Sequence, residues 1–201
     1  MKFKELKTPS PHIIIDNFLT DDEIESIKNE IKILLPNMKP GINMKPGMKQ
    51  FAKLDKKNKN NLNIWLDDFY NNKRNESNIL QYMKKIWNKD IMNFMDNTYS
   101  SIFRTYRYTA KDSTLLSAYK NNSFYKKHTD SGDGGLFLTT NLMIGYGFKG
   151  GDFKLGNKVI PFKNNRLIIF ESHREHSVTK IKTDNNPDNW RYSIQYFARF
   201  K

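Results

Sequence analysis

The chain has 201 residues, 37% of them hydrophobic and 13% aromatic, which predicts a folded core and excludes a chain that is disordered throughout. Cysteine is absent, so disulfides and thiolate metal sites are excluded, and any metal must be bound by His, Asp or Glu. The 34 basic and 21 acidic residues give a net charge of +13, which would attract nucleic acid, but the lysines are scattered and charge alone does not decide the function.

The length fits one domain, so we expect residues 1–201 to form a single unit. No apolar run approaches membrane-spanning length, and the first five residues lack the apolar core of a secretory signal. The sequence therefore predicts a cytoplasmic protein with no membrane segment.

The first predicted elements are a strand and a helix. Residues 12–16, His-Ile-Ile-Ile-Asp, are typical of a short strand. Thr20 is the expected N-cap of the helix that follows, with Glu23 as its capping-box partner. Apolar residues then recur at helical spacing until Pro36 ends the pattern.

A loop and two helices are predicted next. Two copies of Asn-Met-Lys-Pro-Gly open a segment rich in Lys and Asn at residues 37–61, and Pro-Gly pairs indicate turns. This segment is either a plain loop or a lid over a site, and the sequence leaves both interpretations open. A short helix is expected at residues 64–70 and a longer one at 77–97, where apolar residues form a stripe.

Short strands dominate the second half of the sequence. They are predicted at residues 103–108, 115–120, 136–144, 152–155, 166–170, 176–181 and 192–200. Helices followed by strands favour an α+β, mainly β protein, in which a double-stranded β-helix (jelly roll) carries the N-terminal helices on one sheet. We expect residues 1–97 to be the helical support region and residues 98–201 the jelly-roll core.

A metal site is predicted in this β-rich half. His128 and Asp130 are two residues apart, and on a strand such positions share a face. Two His and one carboxylate with open coordination positions are typical of non-haem Fe(II) oxygenases. His176 is the favoured third ligand because it begins an apolar strand, whereas its rival His173 lies in a turn-like segment.

Five segments resemble the prolyl 4-hydroxylase-like family of Fe(II)/2-oxoglutarate oxygenases. They are the stretch 119–130, which runs from a Tyr through an aromatic residue to His-x-Asp; the Gly-Gly-acidic turn at 150–153; the distal-histidine segment 170–178; the last strand 190–197; and the opening strand and helix 11–33. Each motif alone is unspecific, but together they cover most of the chain, with the weakest match at residues 36–61.

The resemblance implies an iron- and 2-oxoglutarate-dependent hydroxylase. The three predicted ligands would hold Fe(II) and form the catalytic centre. Arg191 would bind the far carboxylate of 2-oxoglutarate through its planar guanidinium group, with hydroxyl donors from Ser193 and Tyr119. Ascorbate is expected as a further cofactor.

Two features depart from the pattern of the collagen-type enzymes. Those enzymes usually have Lys where Arg191 stands, so Arg191 is similar to the oxygen-sensor-like and microbial branches. The spacing from His176 to Arg191 is 15 residues, longer than the commonest family spacing, and residues 183–189 have the composition of an inserted hairpin loop.

Four functions remain open from the sequence. The favoured one is hydroxylation of a protein or peptide side chain, with proline as the leading target. Hydroxylation of a free amino acid or another small molecule is the second. A nucleic-acid-directed oxygenase is the third, although Arg199 lies eight residues after Arg191, which is a poor match to the paired arginines of the demethylases. A non-catalytic jelly-roll binding module is the fourth. We therefore expect no specific nucleic-acid partner and no membrane partner.

Overall fold

The computed structural model describes residues 1–7, 10–41, 56–130 and 135–200. The α-helices are α1 Asp21–Leu34, α2 Leu66–Phe69, α3 Asn78–Met83 and α4 Lys89–Asp96, and shorter 3-10 helices lie at Leu35–Asn37, Arg74–Glu76, Lys84–Trp87, Ser101–Tyr108 and Pro187–Asn189. The strands are β1 Lys2–Leu6, β2 His12–Asp16, β3 Lys39–Pro40, β4 Lys59–Asn60, β5 Leu62–Trp65, β6 Lys111–Tyr119, β7 Phe124–His128, β8 Leu136–Ile144, β9 Lys149–Gly150, β10 Phe153–Leu155, β11 Lys158–Ile160, β12 Arg166–Glu171, β13 His176–Val178, β14 Ile181–Lys182 and β15 Arg191–Arg199. Within the described ranges, none of the helices has both the length and the apolar character needed to cross a membrane.

The strands form two main antiparallel sheets. The large sheet has eight strands in the order β1-β2-β12-β8-β15-β6-β5-β3, and the small sheet has five in the order β11-β10-β13-β7-β4. Strands β14 and β9 form a separate pair. The predicted fold, a mainly β double-stranded β-helix with N-terminal helices, is confirmed.

Strand β15 shows how the large sheet separates its two faces. Tyr192, Ile194 and Tyr196 belong to the core cluster that includes the apolar residues of the helices. The alternate residues Arg191 and Ser193 lie on the opposite face, because successive side chains of a strand point to opposite sides, and both are fully buried. Strand alternation thus places polar side chains inside the jelly roll.

The start of α1 agrees with the predicted capping box. The Thr20 hydroxyl accepts a hydrogen bond from the Glu23 backbone N–H at 3.3 Å, and the Glu23 carboxylate accepts one from the Thr20 backbone N–H at 2.9 Å. Two donors that the first turn would leave unsatisfied are therefore paired. The predicted strand at residues 12–16 is also confirmed as β2, although β1 precedes it and pairs with it.

The two helices predicted between residues 64 and 97 are interrupted. The predicted start of the first helix at residue 64 is two residues too early. Residues Leu62–Trp65 form β5, which pairs with β6, and α2 begins only at Leu66. The second breaks at Asn88, which has an extended backbone and accepts a hydrogen bond from the Asp90 N–H at 2.8 Å. An Asn side chain that caps a new helix competes with continuation of the old one.

The strand predicted at residues 103–108 is wrong. The segment Ser101–Tyr108 is a 3-10 helix, in which residues three apart share a face. Phe103 and Tyr106 are three apart and both fully buried, so a period of three satisfies the core better than the alternation that was predicted.

The predicted loop at residues 37–61 is ordered at both ends. Lys39–Pro40 forms β3 on the large sheet and Lys59–Asn60 forms β4 on the small sheet, while residues 42–55 lie outside the described part of the chain. The interpretation of this segment as a lid therefore stays a prediction, and so does the division of the single domain into a support region and a core at residue 97. Strands β1, β2, β3 and β5 show that the first half also supplies strands to the large sheet.

Candidate metal centre

Two histidines face each other across neighbouring strands of the small sheet. His128 ends β7 and His176 begins β13, and the two are directly paired in the antiparallel register. The carboxylate of Asp130 lies beside them, with Oδ1 3.7 Å from Nε2 of His128 and Oδ2 3.4 Å from Nε2 of His176. One ligand atom from each of the three residues lies within 4.8 Å of the other two, which is close enough for one metal ion to bridge them.

Backbone carbonyls fix the orientation of both imidazole rings. Nδ1 of His128 lies 2.8 Å from the Lys126 carbonyl oxygen, and Nδ1 of His176 lies 2.9 Å from the Arg174 carbonyl oxygen. A carbonyl only accepts, so each Nδ1 carries the proton and each Nε2 offers its lone pair to a metal. The same arrangement on both rings indicates a prepared metal site.

Asp130 is held differently from the way that the sequence suggested. Strand β7 ends at His128, so Asp130 lies beyond the strand and does not share a strand face with it. Its backbone N–H donates to the Ser172 carbonyl oxygen at 2.9 Å, and its Oδ2 accepts from the Thr139 hydroxyl at 3.0 Å. The Ser172 hydroxyl lies 3.0 Å from that of Thr139, so it donates to Thr139 while Thr139 donates to the carboxylate.

Sequence reasoning missed the role of Thr139 and Ser172. Both are buried, with exposed fractions of 1% and 0%. The one sequence signal was the polar run Thr139-Thr140-Asn141 inside the strand predicted at residues 136–144, and that signal does not name a partner. The pairing needs β8 and β12 to be neighbours, which the sequence did not establish.

Aromatic rings pack against both imidazoles, and burial keeps that of His128 neutral. The ring of Tyr125 stacks on His128 with 3.4 Å between centroids, and Phe170 meets His176 edge-on at 4.9 Å. Burial lowers the pKa of the His128 imidazole well below its usual range, and the neighbouring His176 and Lys59 lower it further. A neutral imidazole is the form that binds a metal.

His173, the rival ligand, lies outside this cluster. Its side chain is 61% exposed, and its Nε2 lies 3.3 Å from a carboxylate oxygen of Glu171. The cluster that the structure brings together is the one favoured from the sequence, with His176 as the distal histidine.

Arg191 is a second charged feature, and it adjoins the same cluster of apolar side chains as His176, through Tyr119 and Phe170 respectively. The residue is fully buried, its Nε donates to the Gly151 carbonyl oxygen at 2.9 Å, and its Nη1 donates to the Ser193 hydroxyl at 2.5 Å. Its Nη2 is buried and has no hydrogen-bond partner within the described part of the chain. Burial lowers the pKa of the guanidinium to about 10, so the group is still charged at neutral pH.

Tyr119 and Ser193 both adjoin this guanidinium. Tyr119 is paired with Arg191 across β6 and β15, and the guanidinium carbon lies 4.9 Å from the centre of the Tyr119 ring. The Tyr119 hydroxyl bonds to the side chain of Asn61. A buried cation with an unsatisfied donor requires an anion, and a carboxylate fits a guanidinium fork. The residues present therefore fit the far carboxylate of 2-oxoglutarate.

Comparison with protein families supports this interpretation of the site. Residues 114–199 match the model of the 2OG-Fe(II) oxygenase superfamily, and that range contains all three clustered ligands as well as Arg191. The family implies Fe(II) and 2-oxoglutarate as cofactor and cosubstrate. No curated protein matches the chain.

Solved prolyl hydroxylases have the same fold. A prolyl-4-hydroxylase of Pseudomonas putida superposes with a TM-score of 0.68 at 14% identity, over 94% of this chain and 92% of that one. A Trichoplax adhaerens prolyl hydroxylase, solved with a peptide fragment of the hypoxia inducible factor oxygen degradation domain, gives 0.69 at 15% identity, over 94% and 83%. A viral collagen prolyl hydroxylase from Paramecium bursaria Chlorella virus-1, solved with 2OG, gives 0.60 at 16%, over 94% and 96%. The resemblance seen in the sequence is thereby confirmed.

Proposed function

We propose that this chain is an enzyme of the 2OG-Fe(II) oxygenase family and that it hydroxylates a side chain of a peptide or protein, with proline as the leading target. The observation that carries the proposal is the combination of two features beside one cluster of apolar side chains. One is the His-Asp-His cluster, and the other is the buried guanidinium of Arg191 with its free N–H group. Neither feature alone would specify the reaction.

In this proposal His128, Asp130 and His176 hold Fe(II), and Arg191 holds the far carboxylate of 2-oxoglutarate. Together these groups supply the oxidising chemistry: one oxygen atom of O2 enters the substrate as a hydroxyl group, the other enters succinate, and carbon dioxide leaves. Ascorbate is proposed as the reductant that keeps the iron in its Fe(II) state.

The residues of the chain orient the metal ligands, supply charge and keep water away from the cluster. The two imidazoles keep their Nδ1 protons on backbone carbonyls, so they present Nε2 in a fixed direction. Phe153 and Phe170 pack within 5.6 Å and 4.9 Å of the His176 ring centre and exclude water from that side of the cluster. A rigid and dry pocket of this kind favours reaction with the bound substrate over side reactions with water.

A peptide or protein substrate is favoured by the neighbours and by the position of Arg199. The Trichoplax enzyme was solved with a peptide fragment, and the viral enzyme is a collagen hydroxylase. A demethylase-like arrangement would need a second arginine near the pocket. Arg199 lies instead at the other end of β15, where its Nη1 donates to the Ser113 hydroxyl at 2.8 Å.

Substrate-stimulated succinate formation tests the proposal. The enzyme is incubated with Fe(II), 2-oxoglutarate, ascorbate and a panel of proline-containing peptides, free amino acids and methylated oligonucleotides at about physiological salt. We expect stimulation by one or more peptides, with the peptide gaining one oxygen atom by mass spectrometry. Stimulation by oligonucleotides alone, or by free amino acids alone, would assign the enzyme to one of the other substrate classes.

A further inference from the structure

Lys59 is a buried cation beside the His-Asp-His cluster. It lies in β4, the edge strand of the small sheet, and is paired with Tyr125 of β7. The residue is only 7% exposed, and its ammonium nitrogen lies 4.5 Å from the centre of the Tyr125 ring. Because that ring stacks on His128, a single aromatic side chain separates the ammonium group from a proposed iron ligand.

The lysine is held in place along its whole length. The backbone of Gly41 packs so closely on the stem that a Cβ at residue 41 would lie 2.8 Å from Cε of Lys59. Gly41 is itself fixed, since its N–H donates to the Asn61 carbonyl oxygen at 2.8 Å. At the tip, the Asn63 amide, oriented so that its own hydrogen bonds are satisfied, accepts from the Lys59 Nζ at 2.9 Å. A lysine on a solvated surface would keep the freedom of its four-carbon chain.

The charge of this lysine is not neutralised by the described residues. Its ammonium group forms no ion pair with a carboxylate in residues 1–7, 10–41, 56–130 or 135–200. An ammonium group has three N–H donors, and the Asn63 oxygen accepts from one of them. Burial lowers the pKa of Lys59 to about 8, and the charge of Asp130 opposes that shift, so the group is mainly protonated at neutral pH.

Neither Asp130 nor 2-oxoglutarate is a suitable permanent counter-ion. The carboxylate of Asp130 faces the two histidines and would be neutralised by the iron. Of the two carboxylates of 2-oxoglutarate, one belongs with the metal and the other has its own guanidinium partner at Arg191. A largely buried cation with donors left after these pairings is a suitable partner for a third anion, which the primary substrate can bring.

We propose that Lys59 binds a carboxylate of the primary substrate and so makes this oxygenase selective for acidic substrates. The carboxylate belongs either to an acidic residue next to the target residue of a peptide or to the free carboxyl group of a single amino acid, and the chemistry recognised is the same. The inference rests on the proposed function, since it concerns the same site, and it adds the charge of the substrate.

Matched acid and amide ligands test this proposal by equilibrium binding. The protein is loaded with Mn(II) and 2-oxoglutarate without O2, and affinity is measured for a blocked Glu-Pro-Gly peptide against its Gln counterpart and for L-proline against L-prolinamide. We expect the acid of at least one pair to bind about tenfold more tightly than its amide, as a charge-assisted hydrogen bond provides. The peptide pair and the amino-acid pair distinguish the two sources of the carboxylate.

Variants identify the residue responsible. Lys59→Met should remove the preference for the acid while the affinity for 2-oxoglutarate stays within about twofold, Lys59→Arg should keep part of the preference, and the exposed Lys154→Met should change neither value. Thermal unfolding should show that Lys59→Met is at least as stable as the parent, because methionine fills a similar volume without a buried charge.

Three results would overturn the proposal. The first is that the parent binds acid and amide equally in both pairs, or binds neither. The second is that Lys59→Met keeps the preference for the acid. The third is that Lys59→Met loses affinity for 2-oxoglutarate, which would assign the lysine to the cosubstrate. Succinate formation with any peptide tests the proposed function separately, so the failure of one is distinguishable from the failure of the other.

Discussion

At the scale of single residues, Thr139 connects the carboxylate ligand to the large sheet through one hydroxyl group. Its hydrogen bond to Oδ2 of Asp130 holds the oxygen that also lies near His176. We predict that Thr139→Val, which keeps the shape and removes the donor, weakens Fe(II) binding about tenfold, the effect usual for residues that orient a metal ligand. Thr139→Ser should retain most of the affinity.

A metal titration checks the role of Thr139, with Co(II) as a spectroscopic substitute for Fe(II). If the valine and serine variants bound Co(II) equally well, the hydroxyl group would have no part in holding Asp130. The comparison is informative because both variants keep the backbone bond between Asp130 and Ser172.

The free donor of Arg191 leads to a prediction about the cosubstrate. A charge-assisted bidentate contact contributes about 2–4 kcal/mol, so Arg191→Met should lower the affinity for 2-oxoglutarate by a factor of about 30 to 1000. Ser193→Ala should have a smaller effect, because Ser193 accepts from the guanidinium and acts through it.

Isothermal titration of the Mn(II)-loaded protein with 2-oxoglutarate measures both Arg191 and Ser193 variants. Binding by Arg191→Met as tight as that of the parent would transfer the role to another base. A metal affinity unchanged in both variants would show that the effect is confined to the cosubstrate.

At the scale of elements, the carboxylate of Asp16 forms ion pairs that link β2 to residues of the jelly roll. Asp16 at the end of β2 accepts from Arg166 of β12, with Oδ1 2.7 Å from Nε, and its Oδ2 also accepts from Lys163 at 2.8 Å. The hydrogen bond from Arg166 is the main cause that lowers the pKa of Asp16 to about 2 from a usual value of 3.8.

The ion pairs of Asp16 stabilise the folded protein, and we predict that acid removes this stabilisation. Because the folded pKa lies below the unfolded one, the contribution is fully present above about pH 4 and is lost as the pH falls toward 2. Its size is about 2 kcal/mol, from the shift of nearly two pKa units. Asp16→Asn should therefore lower the free energy of unfolding at pH 7 by about that amount and have little effect near pH 2.

Urea unfolding of parent and Asp16→Asn between pH 2.5 and 7 measures the predicted difference. A difference in unfolding free energy that stayed constant over this range would show that the charge of Asp16 is not its cause. Glu25→Gln is a suitable control, since that carboxylate is exposed and its ion pair among the described residues is an i,i+3 pair with Lys28.

Elements with a local signal were predictable, and those set by distant contacts were not. The start of α1 follows from Thr20 and Glu23, which are three residues apart and need no other part of the chain. The 3-10 helix Ser101–Tyr108 was predicted as a strand because aromatic and β-branched residues suit both, and only the packing of Phe103 and Tyr106 decides.

At the scale of the whole molecule, the chemistry of the site was more predictable than its supports. The cluster of His128, Asp130 and His176 was predictable because it depends on residue types that bind metals and on their spacing along the sequence. The positions of Thr139 and Lys59 depend on which strands become neighbours, and Lys59 of β4 pairs with Tyr125 of β7, which lies 66 residues later in the sequence. Sequence periodicity carries no information on that pairing.

We propose that the protein binds iron through His128, Asp130 and His176 and that 2-oxoglutarate binds at the same centre. The most direct test is an anaerobic titration with Fe(II) and 2-oxoglutarate, followed by the visible charge-transfer absorption of the iron–2-oxoglutarate chelate. We expect this absorption for the parent and for His173→Ala, and its loss in His176→Ala and Asp130→Ala. Absorption that persists in His176→Ala and disappears in His173→Ala would contradict the proposal.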